Sequence, residues 1–290
     1  MAAMREIRAR IKNVKSTQKI TKAMKMVSVS KLRRMQSAME ALRPFTRKSR
    51  EILSVLLSGD NTYSNTLIQP RSEVKNVCYV LFVSNRGLCG AYNSNLLRHM
   101  VNLTAEEKRA YSVVVCGRWG KDVIRNIGLP VERVFDDIGD TPGAEQGIRL
   151  AEYLKSMYLS GEADEIILVY QKFINALNQT PRSVQLLPAK PGEAESKTAD
   201  EAYLFEPDRR TILENVLQLH INSAVYSSLL EAKAGEHASR MRAMTSASDN
   251  TQELIAELGL KLNRARQAAI TTEISEIVGG ASALKQKKYL

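Results

Sequence analysis

"MREIRARIKNVKSTQKITKAMKMVSVSKLRRMQSAMEAL", residues 4–42, contains neither glycine nor proline. Met4, Ile7, Ile11, Val14, Gln18, Thr21, Lys25, Ser28, Leu32, Met35, Met39 and Leu42 follow one another in unbroken steps of three and four. That spacing lays one stripe along a helix and forms the seam of a coiled coil when the stripe is mostly apolar. The four central positions are polar. Ile20, Met24 and Val27, on the adjacent stripe, are expected to fill this gap, because a 3.6-residue helix drifts against a 3.5-residue repeat. Pro44 is expected to bend or break the helix. A helix of about 54 residues would be about 80 Å long.

The other end of the chain repeats the pattern. No proline follows Pro207, and Met241, Met244, Ser248, Thr251, Ile255, Leu258, Leu262, Ala265 and Ala269 again keep three-and-four steps. Upstream, Ile212, Val216, Leu219, Ser223, Tyr226 and Leu230 begin the same seam, with a slip in register between 230 and 234. Two ordinary bundle helices would also carry such stripes. Each end supplies a seam and neither has another evident partner, so pairing of the two ends in a long antiparallel coiled coil is the expectation.

All eight prolines lie between Pro44 and Pro207, and glycine is absent before Gly59. The middle is therefore turn-rich. Strand-like runs at 77–84, 111–117, 131–138, 165–173 and 182–188 alternate with helical spacing at 93–103, 119–128 and 143–159. Such alternation predicts an inserted Rossmann-like α/β domain with a largely parallel sheet, giving a mixed α+β and α/β class. The expected divisions are 1–58, 59–207 and 208–290, with a polar mobile loop at 190–203.

Charge is distributed unevenly. Residues 1–57 hold 15 Lys and Arg against three acids, while the whole chain carries a net +11. A basic first helix suits an acidic protein partner, a nucleic acid, or a targeting peptide. Phe45 is the one aromatic residue before Tyr63, and the stacking platforms of single-strand binders are therefore missing. Cys78, Cys89 and Cys116 show no CxxC spacing, which favours a reducing compartment over a disulfide framework. No apolar run reaches the roughly 18 residues of a membrane span, so membrane contact is expected only through partners.

Candidate chemistry is sparse. "SNRGLCGAYN", residues 84–93, follows a strand as phosphate-binding turns do, but it is neither GxGxxG nor GxxxxGK[ST]. A structural turn, with Asn85 or Arg86 bonding backbone groups, is the reading adopted over nucleotide binding. His99, His220 and His237 are too scattered for a triad or metal site, and Asp136/Asp137 and Glu273/Glu276 read as solvated carboxylates. No cofactor, metal or catalytic residue is expected.

Four blocks, "IRARIKNVKSTQKITKAMKMVSVSKLRR" (7–34), "SNRGLCGAYN" (84–93), "EHASRMRAMTSASDN" (236–250) and "NRARQAAITTEISEIVGGASAL" (263–284), together resemble the gamma subunit of F-type ATP synthase, of bacterial type. The resemblance implies a non-catalytic rotor shaft inside three alpha and three beta subunits, with its α/β domain beside the epsilon subunit and the membrane c-ring. It implies that Arg266 and Gln267 meet a catch loop of beta, that Arg240, Thr271 and Glu276 serve coupling, and that Met24 faces an acidic beta loop. Asn85 stands where the family often has Asp, and the dithiol insertion of chloroplast relatives is not apparent. A match beginning near Ile7 argues against a cleaved leader and for a bacterial origin, and the location the resemblance implies is the cytoplasmic face of the bacterial inner membrane. A basic coiled-coil nucleic-acid-binding or scaffold protein is the alternative. The seam becomes Thr272, Glu276 and Gly279 after Ala269, so pairing should weaken there and leave a single-helix tip. Gly279 and Gly280 would each cost about 1 kcal/mol in an ordinary helix interior.

Overall fold

The protein is described by a computed structural model covering residues 2–57, 65–119, 124, 127–190 and 205–286. In chain order the elements are α1 (Ala2–Leu57), β1 (Asn76–Phe82), α2 (Tyr92–Ala105), β2 (Ala110–Cys116), β3 (Val131–Phe135), α3 (Ala144–Ser160), β4 (Glu165–Phe173), β5 (Gln179–Leu187) and α4 (Arg209–Gln286). The helix expected over 119–128 lies mostly, and the loop expected over 190–203 almost wholly, outside the described residues.

Helix α1 runs unbroken through Pro44. Pro44 and Glu40 are both exposed, so water can satisfy the Glu40 carbonyl that loses its helical donor. Every expected seam position from Met4 to Leu42 is buried or half-buried, whereas Arg5, Arg8, Arg10, Lys12, Lys15, Lys19 and Lys22 are exposed. The polar gap is filled only in part: Met24 is half-buried, but Ile20 and Val27 are 58% and 53% exposed. The seam instead keeps its polar residues and pairs them. Gln18 Nε2 donates to Gln252 Oε1 at 2.6 Å, and Thr21 Oγ1 donates to the Gln18 carbonyl at 3.0 Å. Satisfied in this way, small polar side chains can be buried at little cost.

Contacts divide the chain into two units, Met1–Val27 with Arg242–Leu290, and Ser28–Met241. Within the first, the Gln18–Gln252 bond and the influence of Arg10 on Glu257 set α1 and α4 antiparallel. Within the second the helices are again antiparallel. Arg209 Nη2 donates to the Val55 carbonyl at 3.1 Å, while Leu32 and Met35 pack with Leu230, Ala234 and Ala238. Here the expected seam needs correction, because Leu219 is 40% exposed and the buried row is Leu213, Leu217, Ile221, Val225 and Leu229. This stretch packs on the sheet as well as on α1, and a four-residue ridge rather than a heptad suits that contact.

The sheet has the order β3-β2-β1-β4-β5. Its first four strands are parallel and β5 is antiparallel to β4. Alternate residues of β1 serve opposite faces. Cys78, Val80 and Phe82 meet α1, α3 and α4 on one side; Val77, Tyr79 and Leu81 meet Leu96, Leu97 and Met100 of α2 on the other. A strand buried on both faces reads as a continuous apolar run, as "VCYVLF" does.

Candidate functional site

The turn after β1 is built to face α4. Leu88 at φ 60° and Gly90 at φ 56° reverse the chain within a few residues. The Ser84 backbone N–H donates to Asn93 Oδ1 at 3.1 Å, and Asn93 Nδ2 donates back to Ser84 Oγ at 2.7 Å. With the turn held at both ends, its carbonyls point outward to α4. Ser239 Oγ donates to the Cys89 carbonyl at 2.7 Å, and Arg240 Nη2 donates to the Arg86 carbonyl at 2.9 Å. Asn85 bonds a backbone group, as the sequence led us to expect, donating to the Ile138 carbonyl at 2.7 Å. What the turn offers to α4 is carbonyl oxygens, which accept and suit donors such as Ser239 and Arg240.

Behind the turn, α4 carries a buried ionic cluster. Glu236 receives Lys233 Nζ on Oε2 and Arg240 Nη2 on Oε1, both at 2.8 Å. Burial alone would raise the Glu236 pKa, but the two cations outweigh it and hold the carboxyl below its usual range. His237 is neutral, since burial lowers its pKa. Its Nε2 lies 2.8 Å from the Asp140 carbonyl, which can only accept, so Nε2 carries the proton and Nδ1 is left to accept from Arg240 Nη1 at 3.4 Å. These charges are buried because their neighbours Ala232, Ala234, Gly235 and Ala238 let the sheet and α1 come close. The i, i+3, i+7 spacing of Lys233, Glu236 and Arg240 amid small residues was a signal that the sequence carried and that reading it by helical stripes passed over.

The residues singled out for partner contact fall in two places. Arg240 is interior, 8% exposed, within Ser28–Met241. Met24, Arg266, Gln267, Thr271 and Glu276 belong to the other unit. Met24 is half-buried on α1, beside exposed Lys22. Arg266, Gln267, Thr271 and Glu276 are all exposed on α4, with Thr271 Oγ1 donating to the Gln267 carbonyl at 3.0 Å.

Each residue from Ile270 to Gly279 is exposed. Among them Ile270, Ile274, Ile277 and Val278, spaced by four, three and one, are between 47% and 71% exposed. Four large aliphatic side chains along a bare helix end mark a surface for another protein. The sequence reading anticipated a lone tip from the fading seam but did not single out this stripe. Among the described residues no group of three or more His, Cys, Asp or Glu could hold a metal ion, and no helix is long and apolar enough to cross a membrane.

Comparison with known proteins agrees along the whole length. The ATP synthase family profile matches residues 3–284. The ATP synthase gamma chain of Desulforamulus reducens is 43% identical over 285 residues, covering 98% of this chain and all of that one. That of Chlorobaculum parvum is 41% identical over 292 residues, covering 99% of this chain and all of that one. Among solved structures, a chain of the Euglena gracilis mitochondrial ATP synthase OSCP/F1/c-ring assembly shares the fold at TM-score 0.71, with 20% identity, 100% of this chain and 97% of that one. A chain of the Tetrahymena thermophila mitochondrial central stalk and c-ring aligns at TM-score 0.59, with 25% identity, 79% of this chain and 99% of that one. A profile match over residues 3–284 and full-length identity above 40% to gamma chains lead to one conclusion: the chain belongs to the ATP synthase gamma chain family.

Proposed function

We propose that this chain is the central rotor shaft of a bacterial ATP synthase, passing rotation between a membrane c-ring and the catalytic sites of an alpha/beta hexamer. The observation that carries the reading is full-length membership of the gamma chain family. The chain itself is non-catalytic; ATP synthesis and hydrolysis belong to the beta subunits. The exposed stripe of Ile270, Ile274, Ile277 and Val278 suits a helix turning inside an apolar sleeve, because dispersion contacts are non-directional and can be exchanged as the helix rotates.

Met24, Arg266, Gln267, Thr271 and Glu276 are proposed as contacts with the ring. The exposed basic face of α1 gives Met24 a positive surround, which complements an acidic loop of beta. Arg266 can hold a carboxylate through two parallel bonds. Arg240 serves coupling from the interior, by tying α4 to the turn after β1. The α/β domain meets the epsilon subunit and the c-ring, which places the chain at the cytoplasmic face of the bacterial inner membrane through its partners alone.

Affinity purification of the tagged chain from gently solubilised host membranes tests this reading. One copy recovered with three alpha and three beta subunits supports it. Recovery with nucleic acid, or without any ring, contradicts it.

A further inference from the structure

The α/β domain is attached to α1 and α4 in two physically different ways. At the C-terminal end of α1 and the N-terminal part of α4 the helices meet the sheet through aliphatic side chains, Leu53 and Leu56 of α1 and Leu213, Leu217 and Ile221 of α4. Such packing opposes separation but is non-directional, and it does little to prevent small slides or rotations of one surface on the other. At the C-terminal ends of the parallel strands the attachment is directional.

There, Asp140 in the loop after β3 gathers bonds from three elements. Lys31 of α1 donates to Oδ2 at 2.5 Å. Asn85, in the turn after β1, donates to Oδ1 at 3.3 Å. His237 of α4 donates through Nε2 to the Asp140 carbonyl at 2.8 Å. The Lys31 and Asp140 side chains are 31% and 23% exposed, so the pair is partly desolvated yet either member can be replaced without stranding a fully buried charge. Burial would raise the Asp140 pKa, but the bonds from Lys31 and Asn85 prevail and keep it a carboxylate far below the usual range.

We propose that Asp140, with Lys31, Asn85 and His237, is a positioning clamp for coupling. It fixes the angle of the α/β domain against α1 and α4, so that rotation imposed on one is delivered by the other without slip. The clamp rests on the rotor reading above. None of its residues touches the reacting groups; they act by holding two bodies in register. The aliphatic layer supplies the attachment; the clamp orients it, fixing α1 through Lys31 while the Ser239 and Arg240 bonds tie α4 alone to the turn after β1.

The test uses intact ATP synthase containing this chain in sealed vesicles, with ATP hydrolysis and ion pumping recorded together. The variants are Lys31→Met, Asp140→Asn, their double, and Lys31→Arg. Each single replacement is expected to leave hydrolysis near the parent rate while lowering ions pumped per ATP about two-fold or more, since a partly exposed ion pair shifts an equilibrium by a factor of roughly 2–5. The double variant should be no worse than the worse single, because both remove one interaction. Lys31→Arg should pump like the parent, as guanidinium also holds a carboxylate. Parent-like pumping in both singles overturns the clamp. So does a double variant as poor as the product of the singles, and so does failure of both singles to assemble, which would make the contact a determinant of folding alone. Coupled pumping that persists in vesicles lacking this chain would overturn the rotor reading, and the clamp with it.

Discussion

Arg240 and Glu236 stand one turn apart on α4, joined at 2.8 Å with side chains only 9% and 1% exposed. The arginine also donates to the Arg86 carbonyl, so a single guanidinium joins the helix to the turn after β1. Replacing Arg240 by Ala leaves Glu236 with Lys233 alone and the Arg86 carbonyl without this donor. Breaking a buried pair in this manner costs about 3–5 kcal/mol. Denaturant unfolding of the purified chain should show that loss, and Arg240→Ala/Glu236→Gln should recover part of it. Equal midpoints for the parent and Arg240→Ala would refute the prediction.

Glu231 behaves in the opposite sense. Its Oε2 is buried without a hydrogen-bond partner among the described residues, and burial raises its pKa despite the nearby Lys172. A carboxyl whose pKa is raised by folding favours the folded state when protonated. The stability it lends is therefore present below its ordinary pKa of 4.5 and is lost as pH rises through the folded value. Glu231→Gln should raise stability at pH 7 by about 1 kcal/mol, the scale of one buried unsatisfied group. Melting curves of parent and variant should converge as the pH falls to about 4. A gap that stays constant with pH would count against the assignment.

Gly147 of α3 lies against Tyr226 of α4. A methyl group there would lie 2.9 Å from Tyr226 Cβ and 3.0 Å from Cδ2. Gly147→Ala should destabilise by about 1–3 kcal/mol through overpacking, outweighing the gain in helix propensity. Gly117→Ala should be worse. At φ 127° its methyl would meet the Val83 carbonyl oxygen at 2.3 Å, and backbone cannot move aside as a side chain can. Thermal unfolding ranks the two, and a neutral Gly117→Ala would contradict the geometry.

Substitutions on the proposed ring-facing surface should separate coupling from assembly. Met24→Lys adds a cation to a helix face that is already basic and is expected to strengthen a contact that must break during rotation. Ions pumped per ATP should fall while the complex still assembles. Gln267→Leu removes an exposed amide and should lower ATPase rate and coupling together. Parent-like values in either variant would sink that residue's assignment.

The seam of α1 was legible because a long helix with one partner leaves its pairing face in the spacing of the residues themselves. Gln18, Thr21 and Ser28 belonged on it although they are polar, and the structure explains them through bonds such as Gln18 to Gln252, 234 positions away. Pairing across that distance has no local signature. Ile20 misled for the same reason, as an apolar residue whose exposure suits a partner outside the chain. Leu219 misled because this stretch of α4 packs on the sheet as well as on α1, and a heptad count assumes one partner. The strands were found by composition, with β3 ending at Phe135 rather than Ile138 because its edge position leaves fewer ladder bonds to extend it. The Asp140 junction was invisible beforehand, since Lys31, Asn85 and His237 converge only when three separate elements meet.

The most direct measurement is to immobilise the alpha/beta ring, attach a visible probe to an exposed residue of the α/β domain such as Glu73, and add ATP. If the chain is the rotor, the probe turns continuously in one direction while ATP is hydrolysed, and stops when ATP is removed. A probe that only fluctuates about a fixed angle during sustained hydrolysis would show that the chain is not what turns.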